Sequence, residues 1–204
     1  MRILASSSSR PKFKRLPRSL LWYRCLMKKK IIFFDGDGTL WYPSLTKWTK
    51  VPYWIYSDKE IGKDYLGHLE LTPGTKETLE ELKKERVKLF LLSIIPFPQS
   101  EAQRELEKKV NYWGIQSYFE EVIAVLNDPA EKGKIIQSIL EKRNVLKSEA
   151  LLVGDSYRYD YLSAEGVGVD AVLIAAEYRK DLGQAKETIK ALPELINYLQ
   201  AKQF

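Results

Sequence analysis

Residues 31–40 read IIFFDGDGTL and carry an apolar run directly into two carboxylates. The run at 31–34 is typical of a short strand that is buried in a parallel sheet. Asp35 and Asp37 follow it on a turn, and the glycine after each acid permits close backbone approaches that a bulkier residue would obstruct. Two carboxylates on such a turn can divide the chemistry, one acting as a nucleophile and the other as a proton donor.

A calcium-binding loop is the alternative interpretation of this acidic turn. A loop of the helix–loop–helix type needs further acids and a glutamate at its twelfth position. The twelfth position counted from Asp35 is Thr46, so this interpretation fails.

Apolar runs and amphipathic segments alternate along the rest of the chain. The runs predict strands at 31–34, 87–93, 121–125, 151–153 and 171–175. The amphipathic segments predict helices at 75–85, 101–112, 132–143 and 193–201. This alternation indicates an α/β fold in which a Rossmann-like parallel sheet carries helices on both faces.

Polar residues directly follow three of the predicted strands, namely Asp35, Ser93 and Asp155. Ligands of open parallel sheets bind beyond the carboxyl ends of the strands, so we expect these side chains to meet in one crevice. Asp155 belongs to the stretch GDSYRYD at 154–160, and at a strand end it can reach a hard cation such as Mg²⁺. Asp160, five residues further on, could ligate the same metal or hold its waters.

Four motifs in sequence order give the chain a resemblance to the phosphohydrolases of the haloacid dehalogenase superfamily. Residues 35–40 match the first motif (Asp-x-Asp-Gly-Thr-Leu), and Ser93 matches the second. Lys132 with Gly133 matches the third motif, for which Lys134 is the rival lysine. Residues 154–160 match the fourth motif (Gly-Asp-Ser-x-x-x-Asp). The order and spacing agree over about residues 28–176. The resemblance implies the Rossmann-like fold of that superfamily.

The resemblance also implies a mechanism that uses the two acids of the first motif. Asp35 would attack phosphorus and form an aspartyl-phosphate. Asp37 would protonate the leaving group and then activate the water that hydrolyses this intermediate. The dehalogenases of the superfamily do not use the second acid, so the presence of Asp37 favours phosphoryl chemistry.

The same resemblance implies how the phosphate and a Mg²⁺ ion would be held. Phosphoryl contacts would come from Thr39, which also helps to hold the loop, from Ser93, and from Lys132 in preference to Lys134. The metal ligands would be Asp35, Asp37 (through its backbone carbonyl), Asp155 and Asp160. An anionic nucleophile repels an anionic phosphate, and Mg²⁺ together with a lysine would remove that obstacle.

The insertion between the first strand and the first helix, at about 41–72, is too short for a helical-bundle cap. We expect a small flap made of a hairpin or a few short helices, so the chain resembles the small-cap members. Trp41 gives a distant resemblance to the magnesium-dependent phosphatases among them. Aromatic residues are dense in this flap, and Trp41 and Tyr42 are predicted to border the substrate. The alternative is that the aromatic side chains only bury the flap against the core.

The formal net charge of +6 arises from the first thirty residues. Residues 1–30 contain ten Lys/Arg and no acid, whereas residues 31–204 contain 23 Lys/Arg and 27 Asp/Glu. The charge is therefore no argument for a nucleic-acid-binding fold. A single cysteine and a single histidine exclude a multi-cysteine zinc site and a histidine-rich centre, which leaves oxygen ligands for a metal.

The Ser/Arg-rich segment at 1–26 is predicted to be an N-terminal extension of a catalytic domain at 27–204. It could be extraneous, a targeting segment, or a basic anchor, and contact with nucleic acid or an anionic membrane is possible only through residues 1–30. We expect a cytoplasmic phosphatase that acts on a phosphorylated substrate, small or large. The alternatives are a phosphomutase or phosphotransferase of the same superfamily, and a non-catalytic binding protein that uses the extension.

Overall fold

The computed structural model describes residues 28–62, 64–125, 128–180 and 182–202. The predicted N-terminal extension at 1–26 lies outside the described residues. Its proposed roles in targeting and in contacts with nucleic acid or membrane therefore stay predictions.

The chain folds around a parallel sheet. Its strands are β1 (Ile31–Phe34), β2 (Trp41–Pro43), β3 (Leu69–Leu71), β4 (Lys88–Ile94), β5 (Phe119–Val125), β6 (Ala150–Gly154), β7 (Asp170–Ile174) and β8 (Thr188–Ile189). Within the described residues, β5-β4-β1-β6-β7-β8 form one six-stranded sheet in which each recorded pairing is parallel. β1 lies between β4 and β6, so the first predicted strand is at the centre of the fold.

Helices cover both faces of this sheet, as the alternating pattern predicts. They are α1 (Thr75–Lys84), α2 (Gln99–Tyr112), α3 (Pro129–Arg143), α4 (Leu162–Glu165) and α5 (Glu194–Ala201). Successive side chains of β1 point to opposite faces. Ile32 and Phe34 join the core beneath α1, α2 and α5, whereas Ile31 and Phe33 join the core beneath α3 and α4.

The boundary of α3 differs from its prediction for an identifiable reason. The apolar periodicity predicts a start at residue 132, but the helix begins at Pro129. The side chain of Asp128 accepts a hydrogen bond from the Ala130 backbone N–H at 2.9 Å and caps the helix. Lys132 therefore lies in the first turn of α3 and not at its first residue.

The segment between β1 and α1 contains the hairpin and short helices expected of the flap. β2 pairs antiparallel with β3, and 3-10 helices at Pro52–Tyr56 and Tyr65–His68 lie between them. Some of its aromatic side chains are packed in the interior: Trp41 and Tyr65 belong to the core, and Trp41 stacks on Trp113 with ring centroids 5.3 Å apart. None of the helices in the described part of the chain is long and apolar enough to cross a membrane.

Candidate active site

The central strands place the predicted polar residues together at one edge of the sheet. Phe34 pairs with Leu91 of β4 and Val153 of β6, and the backbone N–H of Asp35 continues the ladder with a 2.9 Å bond to the Val153 carbonyl. Asp35, Ser93 and Asp155 therefore lie at the carboxyl ends of adjacent strands. All of them are buried.

The turn after β1 requires glycine because of close contacts. The Gly36 carbonyl accepts hydrogen bonds from the backbone N–H groups of Thr39 and Leu40, at 3.1 and 2.8 Å. A Cβ atom on Gly36 would lie 2.7 Å from Ser93 Oγ. Gly38 has a φ of +83°, and a Cβ atom there would lie 2.5 Å from Asp155 Oδ2. The turn is thus pressed against the ends of its neighbouring strands.

We predict that Gly38→Ala removes most of the activity because it combines a strained φ with a clash at Asp155. A left-handed conformation costs a non-glycine residue about 1–2 kcal/mol. Gly114 provides a matched control, since its φ is +65° and a Cβ atom there would meet nothing within 4 Å. Thermal unfolding should detect the backbone strain in both variants, whereas turnover should be lost only in Gly38→Ala. Equal activities in the two variants would contradict this packing argument.

Lys132 is a fully buried cation that contacts Asp35. Its Nζ donates to Asp35 Oδ1 at 2.8 Å and to Asp160 Oδ1 at 2.6 Å, and its side chain has no exposed surface. The rival Lys134 has a side chain that is 69% exposed and pairs with Glu131 at 2.6 Å. The geometry therefore places Lys132, and not Lys134, against the candidate nucleophile.

Lys132 and the Asp35 carboxylate that it contacts influence each other's pKa values. Burial lowers the pKa of Lys132, but the carboxylates of Asp160 and Asp35 outweigh burial and raise that pKa well above its usual value. Burial raises the pKa of Asp35 well above its usual value, and Lys132 acts in the opposite direction. The lysine thus stays protonated, and it offsets part of the cost of a carboxylate in the interior.

Asp155 and Asp160 are held by different partners. A π-helical turn at Tyr157–Tyr161 folds Asp160 back, so that its Oδ2 accepts from the backbone N–H of Asp155 at 3.2 Å and of Ser156 at 2.9 Å. Asp155 Oδ2 accepts from the Tyr178 hydroxyl at 2.6 Å and from Arg179 at 2.9 Å. Burial raises the pKa of Asp155, and Arg179 opposes this change.

Three carboxylates converge in the described part of the chain as a possible metal site. Asp35, Asp155 and Asp160 each offer an oxygen, and these oxygens lie within 4.8 Å of one another. Hard cations such as Mg²⁺ prefer oxygen ligands, so this donor set fits the predicted ion. The Asp37 carboxylate contacts other side chains, which is consistent with the prediction that Asp37 would bind the metal only through its backbone carbonyl.

Two hydroxyl groups near the turn have unused hydrogen-bonding capacity. Thr39 Oγ1 and Ser93 Oγ are buried and have no hydrogen-bond partner among the described residues. Buried polar groups in folded proteins are nearly always paired. Both hydroxyls therefore fit the predicted role of donating to phosphoryl oxygens.

The Asp37 carboxylate contacts residues that the sequence analysis does not assign to it. Its Oδ1 accepts from Trp41 Nε1 at 2.9 Å and from the Tyr56 hydroxyl, and Lys109 Nζ lies 3.3 Å from its Oδ2. Trp41, predicted to border the substrate, therefore contacts the candidate proton donor. Tyr42 packs on Trp48 with ring centroids 4.5 Å apart, and burial together with the nearby Glu70 carboxylate raises its pKa.

Lys109, Tyr178 and Arg179 are site residues that the sequence reasoning missed. A signal for Lys109 exists, because it lies three residues after the buried Leu106 and seven after the buried Ala102, which is the spacing of one helix face. Arg179 and Tyr178 follow β7 in a segment without periodicity, and only the fold brings them to Asp155. Burial lowers the pKa of Lys109, with the Asp37 carboxylate opposing it.

These features define a Rossmann-like α/β protein with an acid-rich site at the carboxyl ends of its central strands. Residues 41–174 match the family model of the haloacid dehalogenase-like hydrolases, and the chain belongs to this family. The resemblance to the haloacid dehalogenase superfamily, the fold class and the assignment to hydrolases are therefore confirmed. The matched range contains Ser93, Lys132 and Asp155 but begins after Asp37.

Solved structures share this fold. A HAD phosphatase from Thermococcus onnurineus has a TM-score of 0.61 and 23% identity, with 86% of this chain and 100% of that chain covered. A HAD-superfamily hydrolase of subfamily IA from Geobacter sulfurreducens has a TM-score of 0.60 and 20% identity, with coverage of 85% and 97%. A haloacid dehalogenase-like hydrolase from Streptococcus pneumoniae has a TM-score of 0.62 and 18% identity, with coverage of 85% and 99%. A search of curated proteins gave no match.

Proposed function

We propose that the protein is a Mg²⁺-dependent phosphatase that hydrolyses a phosphate monoester through an aspartyl-phosphate on Asp35. The observation that carries the proposal is the placement of Lys132 between Asp35 and Asp160, together with the buried Thr39 and Ser93 hydroxyls, which have no hydrogen-bond partner in the described part of the chain. A buried carboxylate, a lysine and free hydroxyl donors form a set that can attack and hold a phosphoryl group.

In the first step, a carboxylate oxygen of Asp35 attacks phosphorus while the bond from phosphorus to the leaving oxygen breaks. Asp37 gives its proton to that leaving oxygen. Lys132, Thr39 and Ser93 bind the phosphoryl oxygens and hold phosphorus in line with Asp35.

In the second step, water attacks the phosphorus of the aspartyl-phosphate and gives its proton to Asp37. The bond between phosphorus and Asp35 breaks, and this regenerates the Asp35 carboxylate and releases inorganic phosphate.

Asp35, Asp155, Asp160 and the Asp37 carbonyl would hold the Mg²⁺ ion. When bound, this ion supplies positive charge that offsets the repulsion between the carboxylate and the phosphate. Tyr53 of the flap lies near these acids, and burial together with their charges raises its pKa well above the usual value.

The test is phosphate release from a broad panel of phosphate monoesters, with Mg²⁺ or with EDTA. We expect turnover that requires Mg²⁺ and returns when the ion is restored. Transfer of phosphate to a second substrate, in place of its release, would favour the phosphotransferase or phosphomutase alternative. Folded protein that releases no phosphate from any compound would contradict the proposal.

The proposal includes a catalytic domain at 27–204 that acts in the cytoplasm. A truncated chain without residues 1–26 should retain the turnover of the full chain. A fluorescent fusion of each form should distribute alike in cells. Organelle localisation that needs residues 1–26 would favour the targeting alternative, and nucleic-acid or membrane binding that needs them would favour an anchor.

A further inference from the structure

Lys109 is a fully buried lysine that the four motifs leave unexplained. It lies on the inward face of α2, and its side chain has no exposed surface. Its Nζ lies 4.4 Å from the centroid of the Tyr56 ring and 5.6 Å from that of the Tyr65 ring. Lysine is almost never fully buried without a partner, because removing its charge from water is costly. The fold therefore holds this cation at a specific place against a substantial penalty.

The partner of Lys109 is the candidate proton donor and acceptor. Lys109 Nζ lies 3.3 Å from Asp37 Oδ2 and donates to the Tyr56 hydroxyl at 2.6 Å. The Tyr56 hydroxyl in turn donates to Asp37 Oδ1. Lys109 thus reaches both oxygens of one carboxylate, one directly and the other through a tyrosine of the flap.

The two acids of the turn have separate lysines that come from opposite faces of the sheet. Lys132 on α3 contacts Asp35, and Lys109 on α2 contacts Asp37. α3 and α2 pack on the two different core clusters that flank the sheet. Lys132 is placed to offset the charge of the nucleophile, whereas Lys109 is placed to fix the orientation of the second acid.

We propose that Lys109 is a positioning residue that holds the Asp37 carboxylate, directly and through Tyr56, in the orientation needed for proton transfer. This inference rests on the proposed function. Because Tyr56 belongs to the flap, the orientation of Asp37 also depends on the flap being seated on the site. Trp41 Nε1 completes the set of donors on the same carboxylate.

The test compares two substrates of similar shape, 4-nitrophenyl phosphate and benzyl phosphate. Nitrophenolate departs without a proton, whereas a benzyl alkoxide needs one, so a misplaced Asp37 should affect only the second substrate strongly. The ratio kcat/KM reports steps up to departure of the leaving group. General acids contribute typically 10²- to 10⁴-fold. We therefore expect Lys109→Met to lower kcat/KM for benzyl phosphate at least about tenfold more than for 4-nitrophenyl phosphate.

Tyr56→Phe provides a second, conservative variant that keeps the ring and removes only the relaying hydroxyl. It should shift the substrate ratio in the same direction by a smaller factor, even where Lys109→Met fails to fold. Lys108→Met is the matched control, because Lys108 neighbours Lys109 on α2, is 49% exposed, and pairs with Glu105. Its substrate ratio should equal that of the unmodified protein.

The outcomes separate this inference from the proposed function. An equal fall for both substrates in folded Lys109→Met and Tyr56→Phe, or no fall, would overturn the role of Lys109 while leaving the phosphatase intact. If the unmodified protein hydrolyses neither these two substrates nor any other compound of the monoester panel, the proposed function fails and the role of Lys109 fails with it.

Discussion

Asp35→Asn should lower turnover by roughly 10⁶-fold, the scale seen when a covalent nucleophile is removed. The amide oxygen carries no charge and cannot form the aspartyl-phosphate. The fold should survive, because burial already disfavours the charged form of Asp35 and raises its pKa. Phosphate release and thermal unfolding, measured on the same preparation, check both parts.

Glu70→Gln is a suitable control for this variant, since Glu70 is an exposed acid of β3 that pairs in register with Tyr42. It should leave turnover unchanged. Unfolding of Asp35→Asn at a much lower temperature would mean that Asp35 is needed for structure. Retained turnover in a folded Asp35→Asn protein would show that another group is the nucleophile.

Lys132→Met should lower both turnover and stability. The substitution leaves Asp35 and Asp160 buried without their shared cation, and breaking a buried ion pair in this way costs about 3–5 kcal/mol. Loss of one preorganised charge contact to the reacting group lowers kcat about 10²- to 10³-fold. Denaturant unfolding measures the loss of stability, and phosphate release measures the loss of turnover.

Two further variants make this prediction specific. Lys134→Met removes an exposed lysine of the same helix and should change neither turnover nor stability. Asp160→Asn added to Lys132→Met removes one of the two stranded carboxylates and should restore part of the lost stability without restoring turnover. A larger activity loss in Lys134→Met than in Lys132→Met would assign the phosphate contact to Lys134.

The sequence predicts the central part of the fold because the apolar pattern of the segment agrees with its buried position in the sheet. The apolar run at 31–34 suits a strand buried on both faces, and β1 is the middle strand of the sheet. Parallel topology then brings Asp35, Ser93 and Asp155 to adjacent strand ends, a consequence that needs no side-chain detail. β8 was not predicted because a strand of two residues is too short to show a periodicity.

The surroundings of Asp37 depend on tertiary packing and could not be derived in this way. Lys109 shares a helix face with apolar residues, but the sequence does not say which carboxylate would meet it. Tyr56 is one of several aromatic residues in the flap, and local sequence does not distinguish those that pack from those that reach the site. Trp41 does both, because its ring stacks in the core while its Nε1 donates to Asp37.

The most direct measurement of the central claim identifies the residue that carries phosphate. Asp37→Asn, which lacks the proton acceptor for hydrolysis, is mixed with 4-nitrophenyl phosphate and Mg²⁺, quenched, and reduced with borohydride. Borohydride converts an aspartyl-phosphate into homoserine, which peptide mass spectrometry locates. We predict a burst of one nitrophenol per protein and homoserine at position 35. A burst with no reduced residue, or with the modification at another position, would contradict the account.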